Sequence, residues 1–568
     1  MAEKDGIEYV FSSSEALRQR PGRFLLTLSD GGSDRSFIKE FDSDRLMFVE
    51  DGFNVPVSKS DLTWLTPDKT LLCDGLDEDD LTDSGYPMTI KVWSRGKSLS
   101  ETTTIYNGRK SDVGVGVTRF EDGEKEHFII SRAVDFYNSE YSIYSESQGL
   151  RPLNIHSECD ILLIFKGNLI FRDRLGASGF PSGSIVSQAL SDSTSYKKPD
   201  QKLLYYFNSH QSFTGIARTK DSLIVSFTHL VSGRLAEIKF VDGKLSTDQI
   251  AWADKSSLEI LSSDEHSNEV LYTLSSYLTP TSVYYMKVGE EPRLLYQAKE
   301  RFNAEGLVTS QFSAESKDGT HIPYFIVSKE KHALDPKAPL LLYGYGGFEE
   351  SLLPSYHGIT GKLWLERGGS YVIANIRGGG EFGPAWHEAA RTYRRQNAFD
   401  DFIAVAEDLI AKGYCTPETL GIQGGSNGGL LVGAVAMQRP ELFGAVLCEV
   451  PLLDMLIYHE LLAGASWTAE YGDPDDVGAR RYLYAYSPFH NVKAERTYPR
   501  IMLSTATGDD RVHPGHARRM AKRLQDLSKP YLYYENTKGG HSDSSDLSEE
   551  AKAYALSFTY LWTELKKG

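Results

Sequence analysis

Apolar and polar residues follow two different rhythms along this chain. From about Arg23 to Gln297, short runs rich in Ile, Val, Phe and Tyr recur at strand length, as in Arg23–Leu28, Ile161–Phe165, Leu203–Phe207, Leu223–Thr228 and Val283–Val288. Turn-forming clusters such as Asp30-Gly31-Gly32, Glu121-Asp122-Gly123 and Asp242-Gly243-Lys244 separate them. Hardly any long stretch here has the 3.6-residue apolar spacing of a helix. The pattern predicts an all-β array. A sandwich or barrel seldom exceeds ~200–250 residues, whereas a propeller repeats four-stranded blades of ~40–50 residues. A propeller of about six blades, or seven lean ones, is therefore expected over tandem sandwiches.

After about Phe302 the rhythm changes to strand alternating with helix. Leu340–Tyr343, Tyr371–Asn375, Leu420–Gly424, Val446–Val450, Ile501–Ser504 and Tyr531–Glu535 are short apolar runs without strict alternation. Parallel strands covered by helices on both faces read this way. Helical spacing runs from Ala398 to Lys412, closed by Gly413, and again from Glu549 to Lys566. A doubly wound α/β domain is expected. The length of 568 residues also exceeds what one core supports, ~250–300 residues. The expected division is a β-propeller domain over 1–302 and an α/β domain over 303–568.

The chemistry concentrates at Leu420-Gly421-Ile422-Gln423-Gly424-Gly425-Ser426-Asn427-Gly428-Gly429-Leu430-Leu431, which contains G-x-S-x-G from Gly424 to Gly428. A bare match is weak, but here an apolar strand enters it and a helical pattern, Leu430 to Met437, leaves it. That context describes a nucleophile elbow, a strained turn that lifts a serine hydroxyl above the sheet. Glycines on both sides let the chain turn without Cβ collisions. The Asn427 N–H would face a developing oxyanion at the helix N-terminus.

A serine nucleophile needs a base, and the base an orienting acid. In α/β-hydrolases these follow in the order Ser, Asp or Glu, His, on loops after later strands. Strand Ile501–Ser504 leads to Thr507-Gly508-Asp509-Asp510-Arg511-Val512, and strand Tyr531–Glu535 to Gly539-Gly540-His541. Spacing barely separates Asp509 from Asp510. His513 and His516 share the acid's loop and suit the base role poorly, which favours His541.

Charge and cysteine content narrow the setting. Lys plus Arg number 61 against 78 Asp plus Glu, a net charge of −17 that repels phosphate backbones, so nucleic acid is not an expected partner. The polar N-terminus lacks a secretory apolar core, no membrane span is evident, and Cys73, Cys159, Cys415 and Cys448 have no metal-ligand spacing. Reduced thiols, a cytoplasmic location, a monomeric state and no cofactor or metal are expected.

The motifs Tyr343-Gly344-Tyr345-Gly346-Gly347-Phe348, Asn375-Ile376-Arg377-Gly378-Gly379-Gly380-Glu381, Gly424-Gly425-Ser426-Asn427-Gly428-Gly429 and Asp509-Asp510-Arg511-Val512 resemble the prolyl oligopeptidase family. The resemblance covers 302–568 and implies an α/β-hydrolase domain under a propeller, a serine peptidase cutting short peptides after proline. It implies Ser426, Asp509 and His541 as the triad, with Tyr345 completing the oxyanion hole beside Asn427. Trp467 resembles the indole that stacks on the proline ring. Phe348, Tyr471 and Val512 would line the same pocket, with Leu452 where valine is usual, and Arg511 would bind a substrate carbonyl. Proline offers a compact apolar ring without an N–H, which suits an aromatic, uncharged slot. A pocket for a basic side chain would need a carboxylate aimed inward, and none is found in these motifs, although Glu470 adjoins Trp467.

The family normally carries a further N-terminal segment before its propeller, and strand-like sequence here begins by about residue 23. A first blade that is missing or incomplete is expected from that departure. Two other functions remain open: an oligopeptidase or esterase of different specificity, such as one cutting after basic residues, and a propeller-based binding protein over an inactive hydrolase.

Overall fold

The computed structural model describes residues 9–194, 199–241, 244–330, 335–541 and 546–566. Among them, six antiparallel sheets follow one another from Tyr9 to Gln297, the first with five strands and the rest with four. Consecutive sheets share apolar cores. Leu25 and Ile38 of the first pack with Trp64 and Leu72 of the second. Leu71 and Ile90 then meet Val117 and Ile130, Ile129 meets Ile164 and Leu169, Leu163 meets Leu223 and Val225, and Leu235 meets Leu258 and Tyr272. This is the β-propeller, and face-to-face burial of each blade on the next is what holds it. The turn at Glu121-Asp122-Gly123 closes the hairpin of Gly114–Asp122 with Lys125–Ala133, and Gly123 adopts φ 60° there. The turn expected at Asp242-Gly243 lies outside the described residues.

The remaining chain builds one eight-stranded sheet. Its strands are β1 (Leu307–Glu315), β2 (His321–Lys329), β3 (Leu340–Tyr343), β4 (Ser370–Ala374), β5 (Leu420–Gly425), β6 (Ala445–Glu449), β7 (Arg500–Ala506) and β8 (Tyr531–Asn536), in spatial order β1-β2-β4-β3-β5-β6-β7-β8. The strands β4, β3, β5, β6, β7 and β8 run parallel, while β1 and β2 join antiparallel at one edge. Helices α1 (Gln396–Ala411), α2 (Asn427–Gln438), α3 (Gly515–Asp526) and α4 (Leu547–Leu565) cover it. Alternate residues of one strand serve opposite cores. Leu340 and Leu342 pack with Phe402 and Leu431 of α1 and α2, whereas Leu341 packs with Leu561 of α4. Burial on both faces explains the unbroken apolar runs of these strands. The order is that of an α/β-hydrolase, with the carboxyl ends of β5, β7 and β8 brought to one rim.

The propeller sits over that rim. The Ser212 hydroxyl donates to the Gly380 carbonyl at 2.5 Å, and the Gly540 amide to the Gly31 carbonyl at 3.1 Å. The four cysteines are buried and free. No helix among the described residues is long and apolar enough to cross a membrane.

Candidate active site

Ser426 links β5 to α2 with φ 55° and ψ −118°, a left-handed conformation that costs a non-glycine residue. Its amide donates to the Glu449 carbonyl at 2.9 Å, which helps hold the turn. Gly424 and Gly428 are required by space. A Cβ on Gly424 would lie 2.2 Å from the Gly428 carbonyl oxygen, and one on Gly428 2.7 Å from that of Gly344.

The loops after β7 and β8 bring an acid to an imidazole. Asp509 Oδ2 is 2.8 Å from His541 Nδ1, while Asp509 Oδ1 accepts from the amides of Arg511 at 3.0 Å and Val512 at 2.8 Å. These bonds aim a fully buried carboxylate at the ring. Asp510 turns the other way: its Oδ1 accepts from the Asp34 amide of the propeller at 2.8 Å. Geometry thus separates the two aspartates that spacing left together. His513 accepts from its own turn, at the Gly515 amide, 2.8 Å away. His516 is buried, and its Nδ1 accepts from the amides of Leu453 and Asp454 at 3.3 and 3.2 Å. Burial pushes its pKa down to about 4. Among the described residues no hydrogen bond joins the Ser426 hydroxyl to His541; the imidazole's side-chain partner is Asp509.

Asn427 opens α2, so its amide has no intrahelical acceptor. Its side chain is held at both ends: Nδ2 donates to the Tyr345 carbonyl at 2.6 Å, and Oδ1 accepts from the Tyr471 hydroxyl at 2.8 Å. Burial pushes the Tyr345 phenol up to about 12, with the neighbouring Ser426 hydroxyl acting the other way, so it is a neutral donor at ordinary pH. The link from Tyr471 to Asn427 joins the cavity wall to the start of α2, and no sequence pattern announced it.

Ser426 and Tyr345 open on a cavity of about 620 Å³ walled by Phe348, Leu452, Trp467 and Tyr471, with Tyr86, Val115 and Phe136 from the propeller. Phe348 stands edge-on to Tyr471 at 5.6 Å and to Phe136 at 5.0 Å. Phe348 is held at φ 57°, a strained conformation for an aromatic residue. Val512 is buried in the same apolar core as Leu452 and Trp467, behind the wall. Arg511 lines the cavity, but its guanidinium is engaged by Asp34 of the propeller, Nη2 to Oδ1 at 2.5 Å.

Glu470 does not aim into this space. One carboxylate oxygen accepts from the Phe348 amide at 3.0 Å and from Arg395; the other is 2.7 Å from His387 Nε2 and accepts from the Tyr137 hydroxyl. Burial alone would raise its pKa, but Arg395 and His387 outweigh it and hold the group ionised. The carboxylate that does line the cavity is exposed Glu350, two residues beyond the motif that ends at Phe348. His459, Asp473 and Asp475 place ligand atoms within 4.8 Å of one another, but the two aspartates are exposed and the group lies outside the cavity.

The sequence profile of the prolyl oligopeptidase family matches residues 356–568, and that of its N-terminal β-propeller domain residues 22–299. An uncharacterized peptidase of Sinorhizobium fredii, y4nA, is 39% identical over 580 residues, covering 100% of this chain and 80% of the relative. A prolyl endopeptidase of Elizabethkingia meningoseptica is 41% identical over 278 residues, 48% of this chain and 39% of the relative. The solved structure of a post-proline cleaving enzyme from Rickettsia typhi superposes with a TM-score of 0.93 at 31% identity, covering 100% of this chain and 85% of that one.

Proposed function

From the premise that this chain belongs to the prolyl oligopeptidase family and is a serine-type peptidase, we propose that it hydrolyses short peptides on the carboxyl side of proline. One observation carries the reading: the cavity at Ser426 is walled by Trp467, Phe348 and Tyr471, while Glu470 is consumed by buried partners. An aromatic slot accepts a pyrrolidine ring and offers a cationic side chain no buried counter-charge.

Ser426 attacks the proline carbonyl carbon, and His541 takes the serine proton at Nε2. Asp509 holds Nδ1 and stabilises the imidazolium. The Asn427 amide and the Tyr345 hydroxyl take the oxyanion. His541 then protonates the leaving amine, and water, activated by the same imidazole, releases the acyl-enzyme. Arg511 binds the carbonyl before the proline once Asp34 yields it. The propeller over the rim restricts entry to short peptides and keeps bulk water out, which strengthens these interactions.

Glu350 supports a second reading, cleavage after a basic residue, because it places an exposed carboxylate on the same cavity. Turnover of fluorogenic Gly-Pro, Arg-Arg and acetyl-Ala substrates by wild type and Ser426→Ala tests both. Preference for Gly-Pro that vanishes in Ser426→Ala is expected; preference for Arg-Arg would overturn the first reading and support the second.

A further inference from the structure

We propose that Tyr137, a propeller residue, is a positioning residue for the specificity cavity, acting through Glu470 on the loop that carries Phe348. The proposal rests on the post-proline reading above.

Tyr137 lies between the strands Lys125–Ala133 and Ser139–Ser145, on a turn whose amides at Tyr137 and Asn138 donate to Asp135 Oδ1 at 2.8 and 2.9 Å. Its ring is clamped between two guanidinium groups, Arg174 of the propeller at 4.6 Å and Arg391 of the α/β domain at 4.7 Å. The hydroxyl meets Glu470 and the His387 ring, whose Nε2 is 3.1 Å away. Glu470, His387 and Arg395 are buried. A carboxylate at such a site is tolerable only when its lone pairs are filled.

Three of those donors come from the α/β domain: His387, Arg395 and the Phe348 amide. The fourth, Tyr137, comes from the propeller. What Glu470 holds is the loop at the cavity wall. It takes the Phe348 amide directly, and Arg395, which it anchors, donates Nη1 to the Gly346 carbonyl at 2.7 Å. Phe348 and Glu349 on this loop have φ of 57° and 58°, conformations that persist only under such constraint. With Tyr137 in place the carboxylate has one orientation and the Phe348 ring one position; without it, Glu470 can turn and the wall loosens.

Tyr137→Phe keeps the ring between the arginines and removes only the hydroxyl. The test is the ratio of kcat/KM on fluorogenic Gly-Pro and Gly-Ala substrates, with labelling of Ser426 by a fluorophosphonate and a thermal transition as checks that the variant folds. Loss of one charge-assisted hydrogen bond predicts a fall in the Pro/Ala ratio of about tenfold, carried mainly by KM for Gly-Pro. A merely structural role would lower both substrates alike. Glu470→Gln should lower the same ratio, and the double variant should fall well short of the product of the two losses. If Tyr137→Phe fails to fold, the ratio in Glu470→Gln decides. A ratio within about twofold of wild type in a folded variant overturns the proposal. A wild type that prefers Arg-Arg refutes the post-proline reading separately, and Tyr137 is then judged by the ratio of that substrate to its alanine counterpart.

Discussion

Arg511 and Asp34 meet across the domain interface as a forked pair, Nη2 to Oδ1 at 2.5 Å and Nε to Oδ2 at 3.2 Å. The same propeller loop donates the Asp34 amide to Asp510 and accepts the Gly540 amide at Gly31. One turn of the first blade therefore braces both loops that present Asp509 and His541. Under the proposed role of Arg511, a substrate carbonyl would have to displace Asp34.

Removing the charge of Asp34 should loosen that brace. Asp34→Asn is expected to speed hydrogen exchange at 31–35 and 537–541 by about three- to tenfold, a modest effect because the Arg511 side chain is nearly half exposed. Unchanged protection of the Gly540 amide would show that the loops stand without the pair.

Tyr345→Phe tests the oxyanion role proposed for this hydroxyl. The expected loss is on the order of 10²–10³ in kcat on a Gly-Pro substrate, with KM little changed, since the donor acts on charge that develops in the transition state. A loss confined to KM would assign Tyr345 to substrate binding.

The two glycines before Ser426 should respond differently to alanine. At Gly424 the new methyl meets the backbone oxygen of Gly428 at 2.2 Å, whereas at Gly425 it meets Glu449 at an ordinary 3.8 Å. Fluorophosphonate labelling should therefore be abolished in Gly424→Ala and largely kept in Gly425→Ala. Equal labelling of the two would contradict the elbow geometry.

His516 ties stability to acid. In the unfolded chain its ordinary pKa is near 6.5, and in the folded protein burial lowers it to about 4. Between those values the unfolded chain binds a proton that the folded protein refuses. The stability present above pH 6.5 is thus lost as pH falls toward 4, by roughly 3 kcal/mol from this group. His516→Asn, whose Oδ1 can still accept from Leu453 and Asp454, should flatten denaturation midpoints across that window. An unchanged slope would mean other groups govern it.

Much of this protein was determined by local pattern. Strand-length runs rich in Ile, Val, Phe and Tyr broken by turns give the blades, and apolar runs give the parallel strands, because each depends on neighbours a few residues away. The strand Leu340–Tyr343 falls within the bounds its apolar run suggested. Helix α3 did not stand out, because its buried face of His516, Ala517, Met520, Ala521 and Leu524 is thin and set among basic residues. The elbow was legible for the same local reason, since glycine spacing and strand-to-helix context lie within a dozen residues.

Tertiary structure alone decided the rest. Asp509 and Asp510 are neighbours in sequence and point to different domains, a choice made by the Arg511 and Val512 amides on one side and the Asp34 amide on the other. Glu470 adjoins the pocket in sequence yet is held out of it by partners from 83, 75 and 333 positions away. Glu350 follows the motif unremarked and reaches the cavity. Hydrogen bonds and buried charge are satisfied wherever the fold delivers a partner, and no spacing rule within one segment encodes where a second domain will place its own.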